Sequence, residues 1–245
     1  MLIVVDVGNT GAKAAAYSGA ELRGFARFLP SEIDTPERLV DLLEVRSEDV
    51  ESVVVVSVSE PGLAVFLSGP GQGAVVLGRD VEILVENRYL DPAEVGADRL
   101  ANCAAAHEAC GGPAVAVDLG TAVTVDAVSA DGAFLGGAIG PGLPSLTTGL
   151  CRAAPALPEW HQEEPEGGLP RSTRQAVSWG IVHGFAGLVD RLVEDVRRSV
   201  PEAAPILLTG GDGVFMAGRL ACRPRIVPHL TLDGVRILYD RARRA

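Results

Sequence analysis

The sequence predicts an α/β protein made of two successive copies of one β-β-β-α unit. Three observations carry that expectation. An Asp-led glycine turn, Asp6-Val7-Gly8-Asn9-Thr10, follows an apolar run of strand character from Leu2 to Val5. A second, Asp118-Leu119-Gly120-Thr121-Ala122, follows the run from Ala114 to Val117, and each turn leads into another apolar stretch. Between them Cys110-Gly111-Gly112-Pro113 breaks the chain, and the pattern restarts beyond it.

In the first half, residues 2–7, 12–17 and 21–28 read as a three-strand meander, with turns at Gly8 and at Ser18-Gly19. Thr35-Pro36-Glu37 supplies a capping residue, a proline at the first helical position and an early acid, so a helix is expected to about Leu43. The β-branched run 52–58 predicts a strand, and a short helix follows Pro61. Residues 81–85 read as the fifth strand, and a helix opens near Val95-Gly96-Ala97-Asp98 and runs through Leu100, Cys103 and His107.

The second half repeats this order, with strands expected at 114–118, 122–128 and 133–139 and a helix after the Gly140-Pro141-Gly142 break. The Pro-rich and Glu-rich stretch 155–171 is irregular, of the kind that forms a lid or an oligomer contact. Apolar residues at 177, 181, 185, 188, 189, 192 and 196 predict a long helix over 173–199. Strand 205–209, helix 213–221, a short strand 225–227 and a final helix 231–243 complete it. The domains expected are 1–112 and 113–245, each a mixed five-stranded sheet flanked by helices. This is the duplicated, ribonuclease-H-like fold shared by actin and sugar kinases. The repeat lies in topology and turns, since the sequences between them hardly match.

Bulk properties exclude several classes. The chain has 245 residues, enough for one large domain or two ordinary ones, and 47% hydrophobic residues argue against disorder. A formal net charge of −11 disfavours general nucleic-acid binding. Arg241, Arg243 and Arg244 read as a solvated helix end. The longest apolar block, Val53 to Val58, is too short to cross a bilayer, and no signal peptide is evident after Met1. Cysteines 103, 110, 151 and 222 show neither Cys-x-x-Cys pairing nor metal-ligand spacing, so reduced thiols in a cytoplasmic protein are expected.

No P-loop motif occurs, and no Gly-x-Gly-x-x-Gly follows the first strand. A carboxylate, a glycine and a hydroxyl at a strand-to-strand turn instead suit a metal-bound polyphosphate: glycine admits backbone N–H groups, the hydroxyl donates to a phosphoryl oxygen, and the carboxylate positions a cation or its waters. Two such turns suggest halves facing each other across a nucleotide. A third loop, Thr209-Gly210-Gly211-Asp212-Gly213, follows strand 205–209 and would let adenine and ribose lie against backbone. Any of the three taken alone also reads as an ordinary tight turn. In Gly96-Ala97-Asp98-Arg99, Asp98 falls in the first turn of a helix, where the macrodipole favours its ionised form. There it can take a proton from an attacking alcohol, while Arg99 grips a carboxylate or phosphoryl oxygen. The residues also fit a helix-terminal Asp beside a surface Arg. His161 in Trp160-His161-Gln162-Glu163-Glu164 lacks metal-ligand spacing and reads as part of a solvated lid. His107 reads as packed or capped. Gly180, Gly184 and Gly187 share one face of the long helix, open to close approach by a second helix or by nucleotide.

Nearly end to end, the chain resembles the type III pantothenate kinases. The likeness rests on Asp6-Val7-Gly8-Asn9-Thr10, on Tyr89 and Pro92 ahead of Glu94-Val95-Gly96-Ala97-Asp98-Arg99, and on Asp118-Leu119-Gly120-Thr121-Ala122 with Thr124 and Asp126. It continues through Gly136-Gly137, Pro141-Gly142, Ser172-Thr173, Gly180, Gly184, Thr209-Gly210-Gly211 and Leu230-Thr231-Leu232-Asp233-Gly234. The resemblance implies ATP-dependent phosphorylation of pantothenate to phosphopantothenate, the first step toward coenzyme A. It implies that Asp6, Val7, Gly8, Asn9, Thr10, Gly11, Ala12 and Lys13 hold the ATP phosphates and Mg²⁺. Thr121 would complete the cradle, and Gly210 and Gly211 would line the adenosine. Gly96, Ala97, Asp98 and Arg99 would line the pantothenate site with Asp98 as general base, and Tyr89 and Thr173 would contact substrate. Asp118 would hold an activating monovalent cation, K⁺ or NH₄⁺. A homodimer is implied, with the pantothenate pocket completed across the subunit interface. Two places depart from the family pattern: Gly11-Ala12-Lys13 replaces longer residues, and Ser172 replaces an asparagine before Thr173. A kinase of another small hydroxy acid, or a catalytically idle accessory protein of this fold, stands as the alternative.

Overall fold

Consecutive β-branched residues, Ile3 to Val5 and Val53 to Val56, build the centre of the first sheet. The structure, a computed structural model, describes residues 1–165 and 167–245. Strand β1 (Leu2–Val7) pairs antiparallel with β2 (Ala12–Ser18), which pairs antiparallel with β3 (Glu21–Phe28). On its other side β1 runs parallel to β4 (Ser52–Ser57), and β4 runs parallel to β5 (Val75–Val76), giving the order β3-β2-β1-β4-β5. Successive strand residues point to opposite faces. Ile3, Val5 and Val7 bury one face against Leu39 of α1 (Pro36–Leu42) and Leu63 and Phe66 of α2 (Glu60–Ser68). Both helices begin as the sequence dictates: the Thr35 hydroxyl accepts from the Arg38 N–H and the Ser59 hydroxyl from the Gly62 N–H.

Helix α3 (Ala97–Cys110) and the last helix, α7 (Leu230–Ala242), complete this unit, which comprises Met1–Ala109, Gly132–Phe134 and His229–Ala245. The sequence reading counted 229–245 with the second half; the structure groups them with the first. Tyr17 Oη donates to Asp233 Oδ1 at 2.8 Å, the Ser52 and Tyr239 hydroxyls meet at 2.8 Å, and α7 packs on β1 and β4. At Gly234 a Cβ would lie 1.9 Å from the Ala101 carbonyl oxygen, so only glycine allows α7 this close to α3.

The second unit comprises Cys110–Asp131 and Leu135–Pro228. Its sheet, β10-β9-β6-β7-β8, has the same internal order as the first. Strand β6 (Ala114–Leu119) pairs antiparallel with β7 (Ala122–Val128), next to which lies β8 (Phe134–Pro141), and parallel with β9 (Ile206–Thr209), which is parallel to β10 (Arg225–Ile226). Val182, Phe185, Val189 and Val193 form the apolar stripe of α5 (Thr173–Arg197) and pack on Val115, Val117, Val123 and Val125. Helix α4 (Leu143–Ala153) lies against α5, and the five-residue α6 (Gly213–Ala217) follows β9.

Two expected elements differ. Residues 81–85 are not the fifth strand; Val75–Val76 takes the place beside β4, and only Val81 bridges to Leu77. Gly78, at φ +87°, turns the chain there, and the Asp80 carboxylate accepts from the Val76 N–H at 2.8 Å, which closes the turn. The helix expected over 213–221 ends at Ala217. Gly218 caps it and Leu220 turns into the core, so the chain returns early to β10.

Candidate active site

In the first unit, the Asp6-Gly8-Asn9-Thr10 turn joins β1 to β2, closed by the Gly8 N–H donating to the Gly11 carbonyl at 2.9 Å. Asn9 and Thr10 are exposed at its tip. Register places Asp6 directly opposite Lys13, and Lys13 opposite Arg27, so the three occupy one row across the sheet. Lys13 is thus on an interior strand. His229 belongs to the same neighbourhood: its ring meets Phe25 at 4.5 Å between centroids and its buried Nδ1 has no hydrogen-bond partner. Burial lowers the His229 pKa; Asp233 pulls it up, and Arg27 and Lys13 push it down. Sequence reading missed both Arg27 and His229, whose approach to Lys13 depends on strand pairing and on the path of α7.

The Gly96-Ala97-Asp98-Arg99 box opens α3. Asp98 lies in the first turn, partly buried, and its Oδ1 accepts from the Arg99 N–H at 2.8 Å. A Cβ at residue 96 would fall 2.5 Å from that same oxygen, so the glycine makes room for the carboxylate. Arg99 is no surface residue: it is 5% exposed, with its guanidinium 5.1 Å from the Phe134 ring centroid and 6.0 Å from that of Tyr89. The two rings are 5.9 Å apart. Such contacts with π-faces stabilise a buried cation. Tyr89 is held there because the Arg88 N–H donates to the Phe134 carbonyl, the Phe134 N–H donates to the Glu86 carbonyl, and the Tyr89 N–H donates to Asn87 Oδ1. The structure therefore unites Tyr89 with Arg99. Phe134 and Asn87 join them, a grouping that no local pattern in the sequence signals.

In the second unit, Asp118 near the end of β6 sits between Thr124 of β7 and Thr209 of β9. Gly210 follows with φ +98°, and a Cβ there would stand 2.3 Å from the Leu119 carbonyl oxygen and 2.5 Å from Asp118 Oδ1. The Asp212 N–H donates to the Leu119 carbonyl at 3.1 Å. The second turn and the Thr209-Gly210-Gly211 loop thus lie against each other, with glycine demanded at 210. Thr121 is braced from α4: its carbonyl accepts from the Gly142 N–H at 3.0 Å and from the Ser145 hydroxyl at 2.5 Å. A Cβ at Gly142 would meet the Gly120 carbonyl oxygen at 2.0 Å, which explains the Pro141-Gly142 pair. Gly137 has the same relation to the fully buried Asp126, 2.3 Å from Oδ1. Thr173 begins α5, where the Ser172 hydroxyl accepts from the Gln175 N–H at 3.2 Å, so Ser172 keeps the capping role. Thr173 also lines a groove of about 680 Å³ with Leu146, Val177, Gly180, Gly184 and Leu188.

Among the described residues, no three His, Cys, Asp or Glu side chains are grouped to hold a metal ion. Within its own unit, each of Asp6 and Asp118 lies near the end of the first strand beside a glycine turn, where a carboxylate suits a cation that takes its other ligands from phosphate and water.

The sequence pattern of the type III pantothenate kinase family matches residues 2–195. A type III pantothenate kinase of Moorella thermoacetica is 33% identical over 253 residues, covering 98% of this chain and 99% of that protein. One from an Anaeromyxobacter species is 35% identical over 254 residues, covering 99% and 100%. Among solved structures, a putative Baf family transcriptional activator from Campylobacter jejuni aligns with TM-score 0.65 at 21% identity, over 99% of this chain and 100% of that one. The activator of 2-hydroxyisocaproyl-CoA dehydratase from Clostridium difficile, with bound ADPNP, aligns with TM-score 0.63 at 13% identity, over 99% and 96%. At these identities the structural likenesses establish the fold alone: two mixed sheets of the actin and sugar-kinase type.

Proposed function

The chain belongs to the type III pantothenate kinase family, and from that premise we propose a division of labour among its residues in the ATP-dependent phosphorylation of pantothenate. The observation that carries the reading is the Gly96–Arg99 box, where a carboxylate in a helix's first turn adjoins a buried, ring-stacked guanidinium. Asp98 is the general base: it takes the proton of pantothenate's primary hydroxyl, whose oxygen attacks the γ-phosphorus as ADP departs. Arg99 and Tyr89 bind pantothenate, with the guanidinium pairing the pantothenate carboxylate. Gly96 and Ala97 line that site and Thr173 adds a hydroxyl. Asp6 to Lys13 hold the phosphates, Thr121 donates to them, and Gly210 and Gly211 lie along the adenosine. Mg²⁺, held by Asp6 directly or through water, and K⁺ or NH₄⁺ at Asp118 would neutralise charge building on the phosphoryl oxygens.

We read the assembly as a homodimer in the cytoplasm. Trp179 of α5 is 44% exposed, and Ile139 of β8 is 64% exposed. A Cβ at Gly180, Gly184 or Gly187 would touch nothing within 4 Å, so packing within one chain does not call for glycine there. Each helix-interior glycine costs about 0.5–1 kcal/mol relative to alanine, a cost that fits a surface meant to receive a second copy. No described helix is long and apolar enough to cross a membrane.

The test is ADP release from ATP by the purified protein, with and without pantothenate, in K⁺ and in Na⁺. Turnover is expected only with pantothenate, and faster in K⁺. A folded protein without turnover overturns the catalytic assignment, and equal rates in the two salts remove the monovalent cation from Asp118.

A further inference from the structure

Beside the Thr209-Gly210-Gly211 loop the second unit has a cavity of about 370 Å³ that the catalytic assignment leaves unused. Its walls include Thr147 and Thr148 of α4, Trp160, His161 and Gln162 of the irregular segment, and Asp212. Their chemistry is uneven. The Trp160 indole N–H already donates to the Ser178 hydroxyl at 3.1 Å and its ring lies 6.2 Å from Phe215, so it contributes a fixed apolar surface. The Thr147 hydroxyl donates to the Leu143 carbonyl at 2.8 Å. His161 presents an exposed flat ring.

Gln162 is the discriminating group. Its φ is +53°, unusual for a side chain with a Cβ, and its Nε2 donates to Asp212 Oδ1 at 3.3 Å. A carboxylate oxygen offers no hydrogen to the amide, so Asp212 selects the NH₂ end of Gln162 and leaves Oε1 as an acceptor. We propose that this cavity receives the purine of the phosphoryl donor and selects an aminopurine over an oxopurine, through Gln162 Oε1 held by Asp212. Adenine brings an amino donor to Oε1; hypoxanthine brings a carbonyl, so acceptor faces acceptor. Trp160, His161 and Gln162 then act as the recognition wall for the base. The inference rests on the reading of Gly210 and Gly211 as the adenosine loop.

ATP and ITP differ only at that substituent and its neighbouring ring nitrogen, so their ratio of kcat/KM at saturating pantothenate is the test. One net hydrogen bond gained against one mismatch predicts a preference for ATP of about tenfold. Gln162→Leu brings the ratio to within about threefold, chiefly through the KM for ATP. Asp212→Asn, whose amide can pair with either end of Gln162, narrows the ratio by improving ITP. A wild-type ratio near one, or a Gln162→Leu ratio equal to wild type, overturns the proposal while leaving the kinase assignment intact. If pantothenate is not phosphorylated at all, calorimetric binding of ADP against IDP applies the same test to the same variants. Equal binding, or none, overturns the proposal on its own.

Discussion

Asp98 shows how little separates a structural from a catalytic carboxylate. Its Oδ1 is tied to the Arg99 N–H at 2.8 Å, an ordinary first-turn contact, and the absence of a side chain at residue 96 keeps space beside it. With Asp98 as the proposed base, Asp98→Asn preserves shape and removes the proton acceptor, so turnover should fall about 10²–10⁴-fold with nucleotide affinity kept. A variant with near-normal kcat in a coupled ADP assay removes Asp98 from that role. His229 allows a second test at this scale. Its pKa is lowered in the folded protein, by burial first, so the neutral form is the one the fold favours. Its contribution is therefore complete above the unfolded value of about 6.5 and is lost as pH falls through the lower folded value. Arg27 and Lys13 act in the same direction as burial, and Asp233 opposes them. Between pH 7.5 and 5.5 the wild-type urea midpoint should drop further than that of His229→Gln; parallel losses would exclude His229 as the source. The acid-base candidate was legible as a motif in the sequence. His229 was not, because Phe25, Lys13 and Arg27 reach it from strands about 200 residues earlier.

At the scale of elements, close backbone approach explains more than propensity. Helix α7 could not lie against α3 with any side chain at 234, where a Cβ would sit 1.9 Å from a carbonyl oxygen. Gly234→Ala should cost about 1–3 kcal/mol, read as a lower urea midpoint; an unchanged midpoint would mean that α7 is held otherwise. The contrast is α5, whose Gly184 has open space around it. The capped helices and the two meanders were legible because Thr35, Ser59 and Ser172 mark starts and β-branched runs mark strands. The fifth strand was misread: Val81 to Val85 carries strand residues, yet Val75 and Val76 reach the sheet edge first. Edge pairing is a competition for position, and composition does not settle it.

For the whole molecule, the open prediction concerns self-association. A dimer is expected by light scattering, and Trp179→Asp, which replaces an exposed indole of α5 with a carboxylate, should shift it toward monomer. Gly184→Ala should stabilise an isolated chain by about 0.5–1 kcal/mol while weakening the dimer. A wild-type chain that stays monomeric throughout the accessible concentration range overturns the homodimer reading. The net charge of −11 favours solubility of either form and tells them apart no further.

Sequence by itself determined the duplication, the two Asp-led turns, the Gly-Ala-Asp-Arg box and the family, because each is written in contiguous residues whose backbone demands are local. Tertiary structure alone decided which distant residues share an environment. It buried Arg99 against Phe134 and Tyr89, set Lys13 between Asp6 and Arg27, and assigned α7 to the first unit. It also set Gln162 against Asp212 beside a cavity. The physical reason is that a turn or a cap is satisfied within a few residues, whereas stacking, register and close helix crossings depend on chain segments brought together only by folding.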